Sequence, residues 1–142
     1  MGAKGGRPEV GSMKDSITTA HRRLDTLLGE TRSALCATDE ARASASFEHL
    51  RAALEAHFDQ EDRLYYPSIR ALRPDLEPIV DGFVAAHAKF GGLLGEISES
   101  LDAGSLADAQ QALEAFADAF APHEEREEGM LLALDRELGR PD

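Results

Sequence analysis

The sequence predicts an all-α protein folded as an up-down-up-down antiparallel four-helix bundle. Apolar residues recur at three- and four-residue spacing through four long segments, the period of a helix with one buried face. No run alternates apolar and polar residues as a half-buried strand does. Ala, Leu, Glu, Asp and Arg dominate, a composition that suits helices.

The first helix is expected from about Ser16 to Ala37, with Asp15 or Ser16 as its N-cap. Its apolar face is Ile17, Ala20, Leu24, Leu28 and Leu35. The second is expected from about Glu40 to Leu72, with the stripe Phe47, Leu50, Leu54, His57, Glu61, Tyr65 and Ile69. Pro67 bends its last turns, and Arg73-Pro74 ends it, because the residue before proline is pushed out of helical geometry. The third starts between Leu76 and Ile79, with Pro78 in its first turn, and carries Phe83, His87, Phe90, Leu94 and Leu101. Gly104 then caps it. The fourth runs from about Leu106 to Leu138, with Leu113, Phe116, Phe120, His123, Glu127, Leu131 and Leu134 on one face. Pro122 lies inside it and predicts a kink beside His123. The glycine-rich start, MGAKGGRPEVGSM, lacks the apolar core of a secretory signal and reads as a flexible tail over 1–13. The bundle is then expected over 14–142.

A length of 142 residues suits one domain with a substantial core. The 27 acidic and 15 basic side chains give a net charge of −12, which counts against nucleic acid and against an anionic membrane surface as partners. No apolar run approaches the ~20 residues of a membrane span. Cys36 is the only cysteine, so no internal disulfide forms, a cytoplasmic setting is expected, and the side chain reads as a small, at least half-buried apolar group.

Polar residues on apolar stripes demand an explanation, since burying them unpaired costs several kcal/mol. Here they follow a rule. His57 is followed by Glu61, and His123 by Glu127, each pair four positions apart and therefore on one helix face. His57 stands 36 positions after His21, and His123 stands 36 after His87. The two halves repeat with an offset of 66 (21 to 87, and 57 to 123). In an antiparallel pair, two residues share a height when the turn lies midway between them. The midpoints, Asp39 and Ser105, fall in the two segments already read as turns. Four imidazoles then share one layer, with two carboxylates one turn away.

His21, His57, Glu61, His87, His123 and Glu127 make a ligand set for two metal ions, with the glutamates positioned to bridge. Satisfying six such groups by hydrogen bonds alone is a demanding alternative. Imidazole suits zinc, copper, iron and nickel, and bridging carboxylates favour iron or manganese pairs, a known use of bundle cores. Two histidines and two bridging glutamates leave positions open on each ion for small molecules such as O2, NO or peroxide. A structural zinc site would instead be closed.

The segments HRRLD at His21, HFDQEDRLYYP from His57, HAKFG at His87 and HEEREEGMLL from His123 together resemble the hemerythrin-like family of HHE cation-binding domains. The resemblance spans about residues 14 to 138. It implies a non-haem, oxo- or hydroxo-bridged diiron centre. It also implies O2 binding, NO or redox sensing, peroxide removal or iron-centre repair, depending on the branch. Two positions depart from the O2 carriers. Gly91 replaces a fifth histidine, which leaves a more open site. Glu127 stands at i+4 from His123, where the carriers place an Asp at i+5, the position of Glu128. Tyr65, one turn past Glu61, either lines the pocket as a hydrogen-bond donor or ligand, or is an aromatic core residue at its edge. Asp25 is either a partner of His21 or an exposed acid, and Glu124 belongs to a solvated acidic run. The expected function is binding of O2, NO or a related oxidant for sensing, storage or delivery. The alternative is a diiron enzyme of peroxide decomposition, NO detoxification or iron-centre repair, drawing on an external reductant.

Overall fold

The structure, a computed structural model, describes residues 9–138, and every regular element among them is helical. Four rods form. The first is α1 (Val10–Cys36). The second joins α2 (Glu40–Gln60), a π-helical turn (Glu61–Tyr65) and α3 (Tyr66–Leu72). A 3-10 turn (Pro74–Leu76) leads into α4 (Glu77–Asp102), and α5 (Leu106–Leu138) completes the set. The α1 rod packs against α2 and α5, and α4 packs against α5 and, more briefly, α2. No described helix is long and apolar enough to cross a membrane.

The first rod opens earlier than the sequence suggested. Glu9, extended and without a side-chain cap bond, precedes it, so neither Asp15 nor Ser16 is the N-cap. Val10 and Met13 continue the stripe of Ile17, His21 and Leu24 at helical spacing, and both are buried. That burial holds the extra turns in place, so residues 10–13 belong to the fold. Of the expected tail, residues 1–8 lie outside the described residues.

The turns after α1 and α4 are built alike. After α1, Asp39 N–H donates to Ala34 C=O and Thr38 N–H to Leu35 C=O, each at 3.0 Å. After α4, Ser105 N–H donates to Ser100 C=O at 2.9 Å and Gly104 N–H to Leu101 C=O at 3.0 Å. These are Schellman closures, which require a left-handed residue. Gly104 supplies it at φ 73°, but its counterpart 66 positions earlier is Thr38 at φ 52°. A β-branched residue is strained there. Replacing Thr38 with glycine is therefore expected to stabilise the fold by about 0.5–1 kcal/mol, the relief of strain exceeding the extra flexibility of the unfolded chain. Chemical denaturation of the two proteins checks this, and an unchanged midpoint would refute it.

Two prolines lie inside these rods. Pro67 follows the π turn, in which Tyr66 N–H reaches back five residues to Glu61 C=O. A proline has no N–H for the carbonyl four residues behind it and its ring crowds that carbonyl, and a widened turn just before it accommodates both defects. Pro122 leaves α5 unbroken from Leu106 to Leu138. The carbonyl it deprives belongs to Asp118, an exposed residue.

The core divides in two. One cluster draws Leu24, Ala34 and Leu35 together with Phe47, Leu50, Leu54, Phe90, Leu94, Leu113 and Phe116. The other gathers Val10, Met13 and Ile17 with Tyr65, Tyr66, Ile69, Val80, Phe83, Leu131 and Leu134. The polar layer lies between these clusters in sequence on every rod. Cys36 is exposed, not half-buried, and its sulfur accepts a hydrogen bond from Gln110 at 3.3 Å. It sits on the last residue of α1, beyond the inward stripe.

Candidate metal centre

His21 projects from the middle of α1, and His57 from the last turn of α2. Glu61 opens the π turn, His87 lies midway along α4, and His123 and Glu127 are one turn apart on α5. All six are buried, and both carboxylates are wholly so. The rings of His21 and His57 are 5.1 Å apart between centroids, and those of His87 and His123 are 5.6 Å apart. The layer inferred from equal spacing is thus assembled.

The donor atoms form two sets with ligand-like separations. His21, His57, Glu61 and Glu127 make one, and Glu61, His87 and His123 make the other. Glu61 belongs to both. Its Oε2 is 3.3 Å from His57 Nε2, and its Oε1 is 3.1 Å from His87 Nε2. Glu127 was expected to bridge as well, but it belongs to the first set alone. Its Oε1 faces His21 Nε2 at 3.1 Å, while its Oε2 accepts a 2.5 Å hydrogen bond from Tyr66.

Tyr66, not Tyr65, is the tyrosine of this layer. The Tyr66 hydroxyl also lies 3.2 Å from Glu61 Oε1 and 3.4 Å from His87 Nε2. Tyr65 turns aside and donates to Ser16 Oγ at 2.8 Å. The π turn causes the exchange: it lodges one extra residue, so the side chain above Glu61 is at i+5 rather than i+4. Pro67 was the sequence signal that a regular turn would be disturbed here.

Around the six sit further acids. Glu128 accepts from His21 Nδ1 at 2.6 Å, and Asp62 accepts from His87 Nδ1 at 3.0 Å. Glu124, assigned to a solvated face, is in fact buried beside His21, with its Oε2 3.8 Å from Nδ1. Asp25 is exposed and helps raise the pKa of Glu124, after burial. Phe58 stacks on His87 at 4.2 Å, while Phe90 and Phe83 set their edges or faces against His123 at 5.1 and 5.2 Å. These rings wall the layer with apolar surface. Gly91 faces open space, and an open cavity of about 470 Å³ runs past it to His87.

The donor set fits a cation and is poorly satisfied without one. Both ring nitrogens of His123 and the Oε2 of Glu61 are buried with no hydrogen-bond partner. Each such orphan costs about 1–3 kcal/mol. The family model of the hemerythrin HHE cation binding domain matches residues 12–134. The chain belongs to that family. No curated protein and no solved structure matches it.

The electrostatics suit a hemerythrin HHE domain, whose family description is cation binding. Burial works against a charge on His21, but hydrogen bonds to Glu127 and Glu128 outweigh it and push its pKa up to about 9. His87 is raised in the same way, burial being outweighed by Glu61 and then Asp62. Burial pulls His123 down to about 4, since it has no carboxylate partner within hydrogen-bond reach. The two central carboxylates split: burial raises Glu127, whereas the proximity of Glu127, His57 and His87 holds Glu61 below the usual range despite burial. Burial also lifts Glu124 to about 8.

Proposed function

We propose that this domain holds two iron ions and binds a small diatomic or peroxide ligand. The observation that carries the reading is the pair of donor sets sharing Glu61. His21, His57, Glu61 and Glu127 would hold one ion, and Glu61, His87 and His123 the other. Imidazole and carboxylate donors in this ratio suit iron, and iron bound here supplies reversible redox change and open positions for O2, NO or peroxide. The second set has fewer donors and borders the cavity at Gly91, so it is the side a ligand meets first. The protein's own contribution is orientation and dryness. The phenylalanine rings exclude water, and Tyr66 holds one oxygen of Glu127.

We read the rods as an up-down-up-down antiparallel bundle, which the membership of the two core clusters supports. The unpaired Cys36 fits a reducing compartment such as the cytoplasm. Binding for sensing, storage or delivery is the reading favoured. The alternative, a diiron enzyme of peroxide decomposition, NO detoxification or iron-centre repair, uses the same residues and an external reductant.

Metal-free protein titrated with ferrous iron under argon tests the reading. Two irons per chain are expected, followed in air by near-ultraviolet charge-transfer absorption that bleaches on reduction. A stable adduct with NO or azide supports binding, whereas consumption of peroxide over many turnovers assigns the enzyme. One zinc per chain, or no iron after titration, would sink the diiron reading.

A further inference from the structure

Each proposed ion has one histidine whose outer nitrogen is already committed. His87 directs Nε2 to Glu61 at 3.1 Å and donates from Nδ1 to Asp62 at 3.0 Å. His21 directs Nε2 to Glu127 at 3.1 Å and donates from Nδ1 to Glu128 at 2.6 Å. Asp62 and Glu128 are equivalent under the 66-residue repeat, and each directly follows a central glutamate. Each also reaches across to the histidine of the opposite half. Glu124, the other acid near His21, is 3.8 Å from Nδ1 and outside hydrogen-bond reach. His123, by contrast, has no hydrogen-bond partner on either nitrogen.

We propose that Asp62 and Glu128 are positioning residues that act through His87 and His21, one for each ion. By accepting from Nδ1–H, each acid fixes the ring's rotation and tautomer and leaves the Nε2 lone pair facing the centre. The carboxylate also makes the imidazole a stronger donor, which favours the more highly charged state of a bound metal. Both side chains are 40% exposed, so they couple a buried ring to solvent without being buried charges themselves. The arrangement recurs in both halves on different acids, Asp in one and Glu in the other. The hydrogen bond, and not the side-chain length, is what the two halves share.

The proposal rests on the two-iron reading, and one experiment separates them. Wild type, Asp62→Ala, Glu128→Ala and the double variant are loaded anaerobically with ferrous iron. Stoichiometry, dissociation constants by chelator competition, and midpoint potentials are then measured. Each single variant is expected to retain two sites with one weakened about 10–100-fold, and the double variant to be weakened at both. The potential should rise in each, with Asp62→Asn and Glu128→Gln, which keep an acceptor but lose the charge, falling between wild type and alanine. Wild type with two irons and variants with unchanged affinities and potentials would overturn the proposal alone. Wild type unable to take two irons would overturn the two-iron reading, and the proposal with it. Unchanged helical circular dichroism in the variants excludes misfolding as the cause.

Discussion

On the two-iron reading, the Glu61→Ala variant is expected to disturb both sites, losing the ion beside His87 and His123 and weakening the other. Glu61 is the only residue common to the two donor sets, and it lies within 3.3 Å of nitrogens on His57 and His87. Its removal leaves only His87 and His123 on one side, too few for a divalent transition ion, and three donors on the other, which then hold their ion more weakly. His87→Ala touches one set and should release one ion. Exposed His49 lies outside both sets, so His49→Ala should keep two. Elemental analysis after identical iron loading reads all three. Helical circular dichroism should persist throughout, because the apolar clusters on either side of the layer are intact. Full occupancy in Glu61→Ala would remove Glu61 from the ligand set.

The largest loss of stability is expected from Phe90→Ala. Phe90 is 2% exposed, and its ring lies between 5.1 and 5.8 Å from those of His123, Phe120, Phe116 and Phe58. It is where the aromatic packing meets the polar layer. Truncation removes the ring and leaves a cavity that four rigid neighbours on two other rods cannot readily fill. A cost of about 3–5 kcal/mol follows, and a melting temperature lower by on the order of 10 °C. Leu132, 41% exposed on α5, is the control and should change stability by less than about 0.5 kcal/mol when cut to alanine. Equal losses in the two variants would mean that Phe90 is not the packing keystone described here.

Much of the polar layer is legible in the sequence, for a geometric reason. The turns read near Asp39 and Ser105 lie midway between the histidines of each half, which puts four rings in one layer. The structure has both turns there and all four rings together. Helical periodicity also gave α5 to the residue. What escaped was whatever broke that period or depended on a neighbour. Tyr65 was expected at the site because i+4 was assumed throughout, and the π turn brought Tyr66 instead. Glu124 read as solvated because acidic runs usually are, yet His21 on another rod buries it. Val10 and Met13 were lost in a glycine-rich stretch, although their spacing matched the stripe they extend.

The π turn makes the second rod one residue longer than a regular helix of the same reach. That surplus is spent within Glu61–Tyr65, among exposed Asp62, Arg63 and Leu64. A sequence with one residue fewer there would wind as plain α-helix and still bring the equivalent of Tyr66 above Glu61. When sequences of this fold are aligned, a single-residue gap just before the Tyr-Pro step is thus a conservative difference. The same gap within α4 would turn His87 away from its layer. Slack for insertion and deletion, ordinarily confined to loops, here lies in mid-helix beside the site itself.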